Sequence, residues 1–563
     1  MMPDDLDLAS AALPLRAGGL DMVLHEGQLL DIRYAGLDIW RTVMFLYRDP
    51  AWATPRHVAT SRAIDVREDG FALQLDGRCP AVPALRWNTD VQGFADGRIR
   101  YSVEIEVGSD LQTSRTGLCV LHPASAAGAA LEVEHVDGRV SRTRFPERIA
   151  PWQPFTQIRA LRHRFAPGGW AICQFDGDDF EMEDQRNFSD ASFKTYSRSN
   201  FMPRPFRLDG GAVLRQSVTL WLEQRPRRNR RTLADERMHV TVSTEKIGNL
   251  PAMRLLAPAQ RLAPRAGAQA ASHVRIDLRA WSPATSPTPP LALHAFADAG
   301  VPFRLDLLLN DDAHAELACK ALAAACSAHH LAVGELAIFP TSGRSVDTAR
   351  RFFPGARIGG GTPYFFTNLN RMALPPRLDF VTYTTCPIIH VADDASVMQS
   401  LSTLNAQVAT ARARGIRAPL HVGPIGIGMS LDPFGVSVHP EPGYPMAMAS
   451  EDPRDQAMFG QAWMLGYLCR MAAAGVTSVT LTHADVLDAL GALVACKGAS
   501  IRKVRNPDPD RLAVLAVDGG KTCSMWFANL SATPQHLALK LPWTPQRLSL
   551  RLAPYSWANP AFP

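Results

Sequence analysis

From His273 to Gly498 the chain repeats one pattern, and that repetition limits the fold more than any other feature of its 563 residues. Short runs rich in apolar and β-branched residues are mostly followed by stretches with helical character. The runs are HVRIDLRA (His273–Ala280), PFRLDLLL (Pro302–Leu309), LAVGELAIF (Leu331–Phe339), ARIGGGT (Ala356–Thr362), LDFVTYTT (Leu378–Thr385), APLHVGPI (Ala418–Ile425), TSVTLTHA (Thr477–Ala484) and a weaker ALVACKG (Ala492–Gly498). The clearest helices are Asp312–His329 and Ser396–Gly415, the second closed by a glycine stop. A third begins with Asp452 as the expected N-cap and Pro453 at the first helical position. About eight β-then-α units in roughly 250 residues predict a (β/α)8 barrel of the TIM type. A doubly wound open sheet is the alternative, but no GxGxxG fingerprint follows a first strand.

The flanks have a different rhythm. Up to about Gln224 the chain alternates in strands broken by Gly and Asp turns; in RYSVEIEV, Tyr101, Val103, Ile105 and Val107 share one face. Strand patterns return after about Ser500. The predicted architecture is multidomain α/β plus all-β. A large N-terminal antiparallel β-sandwich (1–228) precedes the central barrel (245–498), and a small C-terminal β-sandwich (500–563) follows it. The stretch from Arg225 to Arg265, rich in Arg, Pro and Ala, reads as a linker.

Composition removes several function classes. Hydrophobic residues make up 46% and charged residues 20%, the mixture of a globular protein. The net charge of +5 is spread along the chain, and its clearest basic run, RPRRNRR (Arg225–Arg231), has no interleaved aromatics, so no nucleic-acid partner is expected. No apolar run approaches the ~20 residues of a membrane helix, and the opening residues show no basic-then-apolar leader. Nine cysteines, an odd number without CxxC spacing, fit reduced thiols and a cytoplasmic location. No cofactor is predicted, a divalent metal stays open, and oligomeric state is not legible.

A barrel carries its chemistry at the carboxyl ends of its strands. A sugar hydrolase would need a carboxylate pair flanking the bond, roughly 5–9.5 Å apart, and in the common retaining barrels these are Glu residues at the ends of strands four and seven. Counting from His273–Ala280, strand four runs into GGGTPYFFTNLNR, with Asn368, Asn370 and Arg371, and strand seven ends in LTHA, with His483. Neither offers Glu, and Glu335 lies mid-strand. The rim does offer TYTTCPIIHVADD, with Cys386, His390, Asp393 and Asp394, and His421 leads into a Gly-rich loop. These groups could act as base, acid or metal ligands; for Asp393 and Asp394 a helix cap competes. No HExxH, P-loop or GxSxG occurs.

A further polar run, FEMEDQRNFSDASFKTY (Phe180–Tyr196), interrupts the N-terminal β region. Glu183, Asp184 and Arg186 could be an ion-paired edge, or a carboxylate and guanidinium that activate water and bind an oxyanion. Together with RTGLCVLHP (Arg115–Pro123), FPERIAPWQPF (Phe145–Phe155) and LDFVTYTTCPIIHVADD, this run resembles the D-apionate lactonases of bacterial apiose catabolism, over nearly the whole chain. The resemblance implies hydrolysis of D-apionolactone to D-apionate, with a small sugar lactone as partner. It implies a Glu where Asn368 stands, a departure that bears on whether the activity is unchanged. It supplies no catalytic residues. From chemistry alone, Glu183, Asp184, Arg186 and His390 are the catalytic candidates: a carboxylate base with His390 as the alternative, and Arg186 or Arg371 on the oxyanion. His122, Asn187, Asn370, Arg371 and His483 are the substrate-binding candidates. A sugar-processing barrel with displaced carboxylates, or an inactive sugar-acid binder, are the alternatives.

Overall fold

The structure is a computed structural model, described over residues 12–224, 237–257, 271–282, 302–433, 435, 445–520 and 523–562. The basic run Arg225–Arg231 lies outside the described residues. The chain divides into two compact units.

In the first unit, sixteen strands from Leu13–Ala17 to Val213–Gln224 form one continuous sheet with antiparallel pairing throughout. Its two ends curl over a shared core, because Leu15 and Leu20 at one end and Phe71 and Leu73 at the other belong to one buried cluster. The alternation in Ile99–Val107 holds: Ile99, Tyr101, Val103, Ile105 and Val107 are buried.

The second unit is built on a closed parallel barrel. Its strands are Ala252–Leu256, Ala271–Leu278, Phe303–Leu309, Val333–Phe339, Arg357–Phe365, Phe380–Thr384, Leu420–Ile425 and Ser478–Leu481. The ring closes where Ala252 pairs with Ser478. Two expectations are corrected. The first strand is Ala252–Leu256, from the stretch read as linker, and the weak eighth run is helical over Gly491–Val494. Each strand number therefore rises by one. The new fourth and seventh strands end in Phe339 and Ile425, so the ends of both still lack a glutamate.

The helices differ in detail from their sequence reading. Asp393 caps Asp394–Ser400 by accepting from Ser396 N at 2.8 Å, and Gly415 sits at φ +90° as a stop should. The third helix is Met458–Ala473, so Asp452 is not its cap; its carboxylate instead holds Arg454. Arg237–Asn249, also read as linker, lies within a seven-stranded sheet whose other strands come from Ser500–Ala558. Met238, Val240 and Val242 bury its apolar face. Among the described residues no helix is long and apolar enough to cross a membrane.

The barrel interior is ionic. In Phe303–Leu309, Leu305, Leu307 and Leu309 pack outward with helix Ala315–Ala328, which turns Arg304 and Asp306 inward. Arg304 Nε donates to Asp306 Oδ1 at 2.9 Å, and its Nη2 reaches Thr382 Oγ1, also at 2.9 Å. His273 Nε2 lies 2.9 Å from Asp306 Oδ2, and its Nδ1 pairs with Thr480 Oγ1. Burial pushes Asp306 up, but Arg304 and His273 outweigh it and hold the carboxyl well below the usual range. Burial lowers His273 to about 4. Nearer the amino ends, Glu335 meets Arg254 at 2.5 Å, Arg357 at 3.3 Å and His421 at 3.2 Å.

Removing one partner of such a cluster leaves a buried charge uncompensated, at about 3–5 kcal/mol. Asp306→Ala is therefore expected to lower the denaturation midpoint by that equivalent. Because the folded pKa of Asp306 is depressed, its contribution is complete above the unfolded value of about 3.9 and fades as pH falls through the folded value. Denaturant melts at pH 7 and pH 3 test this; a wild-type midpoint in Asp306→Ala at pH 7 would contradict it.

Candidate functional site on the barrel rim

Loops after the sixth, seventh and eighth strands interlock at the carboxyl rim. Cys386 Sγ points at Ile427 O, 3.6 Å away, and Met448 N donates to Ile388 O at 2.7 Å. Asp455 accepts from Ile427 N at 2.7 Å and Gly428 N at 3.0 Å. Gly426 is required by this approach, since a Cβ there would stand 2.4 Å from Thr482 Oγ1 and 3.2 Å from Asp455 Oδ1. Asp455 also lies 3.3 Å from His483 Nε2, and this bond raises the imidazole pKa against the opposing effect of burial. The rim thus holds a histidine biased toward its cationic form beside a backbone turn.

His390 stands on the loop after the sixth strand. Its Nδ1 lies 2.7 Å from Asp190 Oδ2, and the Phe188 ring meets it edge-on with centroids 5.3 Å apart. An aspartate on one ring nitrogen fixes the tautomer and the orientation of the ring. Asp190 belongs to the polar run, and Asn187–Asp190 group with the barrel unit. Asn370 Nδ2 donates to Asn187 Oδ1 at 3.0 Å, and Gln407 Nε2 to Ser189 Oγ at 3.1 Å.

The other expected site residues are dispersed. Arg186 Nε and Nη2 donate to Asp184 Oδ1 and Oδ2 at 2.8 and 2.7 Å; Asp184 also accepts from Ala150 N, and Arg186 bonds the carbonyls of Pro146 and Glu147. Both side chains are buried, and burial pushes Asp184 up against the pull of Arg186. This is a clamp on the chain, not the open carboxylate and guanidinium the sequence reading expected. His122 has no exposed surface. It pairs with Thr195 Oγ1 at 3.0 Å between Phe145 and His163, and burial holds it well below its ordinary pKa. It is packed as a core histidine. Glu183 is half-buried across from Lys194, and Arg371 is half-buried at the end of helix Phe366–Arg371. His421 stacks on Phe380 in the barrel core, away from the rim, and burial pushes the Cys386 thiol up.

Sequence reasoning missed Asp190 and Asp455. Each lies far along the chain from the histidine it serves, so only the fold could pair them. A groove of about 520 Å³ crosses the outer face of the first unit's sheet, but Arg62 and Asp76, and Arg215 and Glu104, pair across it as a solvated face does. Among the described residues no three of His, Cys, Asp and Glu gather as metal ligands.

A closed parallel barrel with two aspartate-held histidines at its carboxyl rim defines an α/β-barrel protein. Two family models match the chain: the D-apionate lactonase N-terminal domain over residues 6–225, and the D-apionate lactonase TIM barrel domain over residues 251–494. The second begins at the strand that sequence reading took for linker. A D-apionate lactonase from Brucella anthropi is 31% identical over 560 residues, covering 93% of this chain and 90% of that relative. The chain belongs to the D-apionate lactonase family. Among solved structures, a β-arabinopyranosidase aligns over 97% of this chain and 99% of its own at 10% identity with a TM-score of 0.31. A Paenibacillus polymyxa xyloglucanase covers 57% and 98% at 10% identity with a TM-score of 0.37. These similarities are too low to inform the site.

If Asp455 is what favours the His483 imidazolium, Asp455→Asn should move the His483 titration midpoint down, measured by NMR of the imidazole resonances. An unchanged midpoint would remove Asp455 as the cause.

Proposed function

We propose that the protein opens a sugar-acid lactone, D-apionolactone to D-apionate, by direct attack of water. The observation that carries the mechanism is the 2.7 Å contact of Asp190 with His390 Nδ1. Held so, His390 takes a proton from water through Nε2 as the oxygen attacks the lactone carbonyl. Asp190 steadies the imidazolium that results. The tetrahedral oxyanion is stabilised by His483, biased toward its cation, with Arg371 as a second donor; one well-placed donor is worth about 3–4 kcal/mol. The intermediate collapses by breaking the ring C–O bond, the leaving alkoxide takes the proton back from His390, and the acid ionises. No covalent enzyme intermediate is needed. Asn370 and Asn187 supply amide groups suited to sugar hydroxyls. Asp184 and Arg186 tie down the chain end that precedes Asn187. Nine unpaired cysteines fit a reducing compartment, so we place the enzyme in the cytoplasm.

A panel of purified aldonolactones, followed by acid release, tests the activity, with apionolactone expected to be opened fastest. His390→Ala is expected to lower kcat/KM by about 10²–10⁴-fold with an unchanged circular dichroism spectrum. Asp190→Asn should lower kcat more than it raises KM. Wild-type turnover in folded His390→Ala would eliminate the base assignment.

A further inference from the structure

In the first unit, Phe180–Asp184 and Ser192–Ser197 pair antiparallel, with Glu183 opposite Lys194 and Glu181 opposite Tyr196. Glu181 is fully used: Tyr196 Oη, Ser199 Oγ and the Asn200 amide donate to it at 2.6, 2.7 and 2.5 Å. Glu183 and Lys194 are not. Lys194 is 2% exposed; its Nζ lies 5.8 Å from the centroid of the Tyr196 ring, and neither it nor the Glu183 carboxylate has a hydrogen bond or ion pair among the described residues. Arg115 lies over the Tyr196 ring at 3.6 Å. Its Nη2 donates to Asn200 Oδ1, and its buried Nε donates to nothing.

A buried ammonium that meets a ring face and no hydrogen-bond acceptor is costly, and such a group calls for an explanation, of which a bound ion is one. We propose that Lys194, Glu183 and Arg115 form a binding site for a small polyhydroxy acid, with the carboxylate received by the two cations and a hydroxyl by Glu183. The balance of charge favours an anion, since Arg115 and Arg48 act electrostatically on Lys194 as further cations, against the opposing charge of Glu183. The choice of residue says more. Lys194 is the only lysine in the first 245 residues, a stretch that otherwise uses arginine as its permanent cation. Arginine would grip a carboxylate through two bonds and stay charged, whereas a buried lysine can lose its proton.

Burial lowers Lys194 to about 8, with Arg115 and Arg48 also lowering it while Cys119 and Glu183 raise it. A carboxylate bound at the ammonium favours the charged form, so binding draws in a proton at pH 8 and weakens as pH rises further.

The probe is D-erythronate, a four-carbon sugar acid that no ring opening can consume, with erythritol as the uncharged control. Titration calorimetry at pH 8 in buffers of different ionisation enthalpy should show proton uptake with erythronate and no binding of erythritol. Acetylation of Lys194 by acetic anhydride in the wild-type protein, read by peptide mass, should slow at least several-fold when erythronate is present. Lys194→Arg should bind without proton uptake, and folded Lys194→Met at least tenfold more weakly. The proposal is overturned if erythronate leaves Lys194 acetylation unchanged, or if proton uptake persists in Lys194→Arg. Because binding is read without turnover, His390→Ala should retain it, which separates this site from the lactone-opening chemistry.

Discussion

Three consecutive glycines decide what the barrel can hold. A Cβ at Gly359 would stand 2.5 Å from the Phe380 ring, one at Gly360 would stand 2.2 Å from Thr341 Cγ2, and one at Gly361 would stand 2.3 Å from Thr382 O, at a φ of +126°. The missing side chain at Gly359 makes room for the Phe380 ring inside the barrel. His421 then stacks on one part of that ring at 4.5 Å, and the Arg304 guanidinium lies 5.2 Å from its centroid. The ionic network with Asp306 and His273 follows, because Arg304 has no route to solvent. The interior thus differs from the branched apolar layers usual in such barrels. It gains directional bonds between nonadjacent strands, such as Arg304 to Thr382 and His273 to Thr480. Those bonds fix register, and register sets which residues reach the rim.

Much of the barrel was legible because parallel strands buried on both faces read as continuous apolar runs. PFRLDLLL shows both why this works and where it stops. The run marks a strand, yet it does not announce that its two charges point inward. The first strand was illegible for a different reason. Its five residues sit among Ala and Pro, so composition argued for a linker where barrel closure needed a strand. The total of eight nevertheless came out right, since ALVACKG was counted in its place. Arg237–Asn249 was lost the same way, although Met238, Val240 and Val242 keep a strand's alternation.

The polar run Phe180–Tyr196 was conspicuous, but its parts could not be told apart in one dimension. Adjacent strand residues face opposite ways, so Glu183 and Asp184, neighbours in sequence, serve different surroundings. Asp184 turns into the Arg186 clamp, and Glu183 faces Lys194. Identity was equally silent about Asp190, whose histidine is 200 positions away. A lone His390 on a rim is an ordinary residue. What sets it apart is a carboxylate supplied from a turn in another part of the chain.

An ion pair as deeply buried as Asp184 with Arg186 restrains the chain that carries it. Buried pairs add little net stability against apolar replacements of the same volume, so their value lies in geometry. Asp184 and Arg186 tie the end of Phe180–Asp184 to the backbone of Pro146, Glu147 and Ala150. Ser189, at a φ of +74°, then reverses the chain while Thr403 and Gln407 hold its carbonyl and hydroxyl. Asp190 follows directly, with little conformational freedom left to lose on meeting His390. A carboxylate that must hold an imidazole within a few tenths of an ångström gains more from such restraint than from any increase in its own charge.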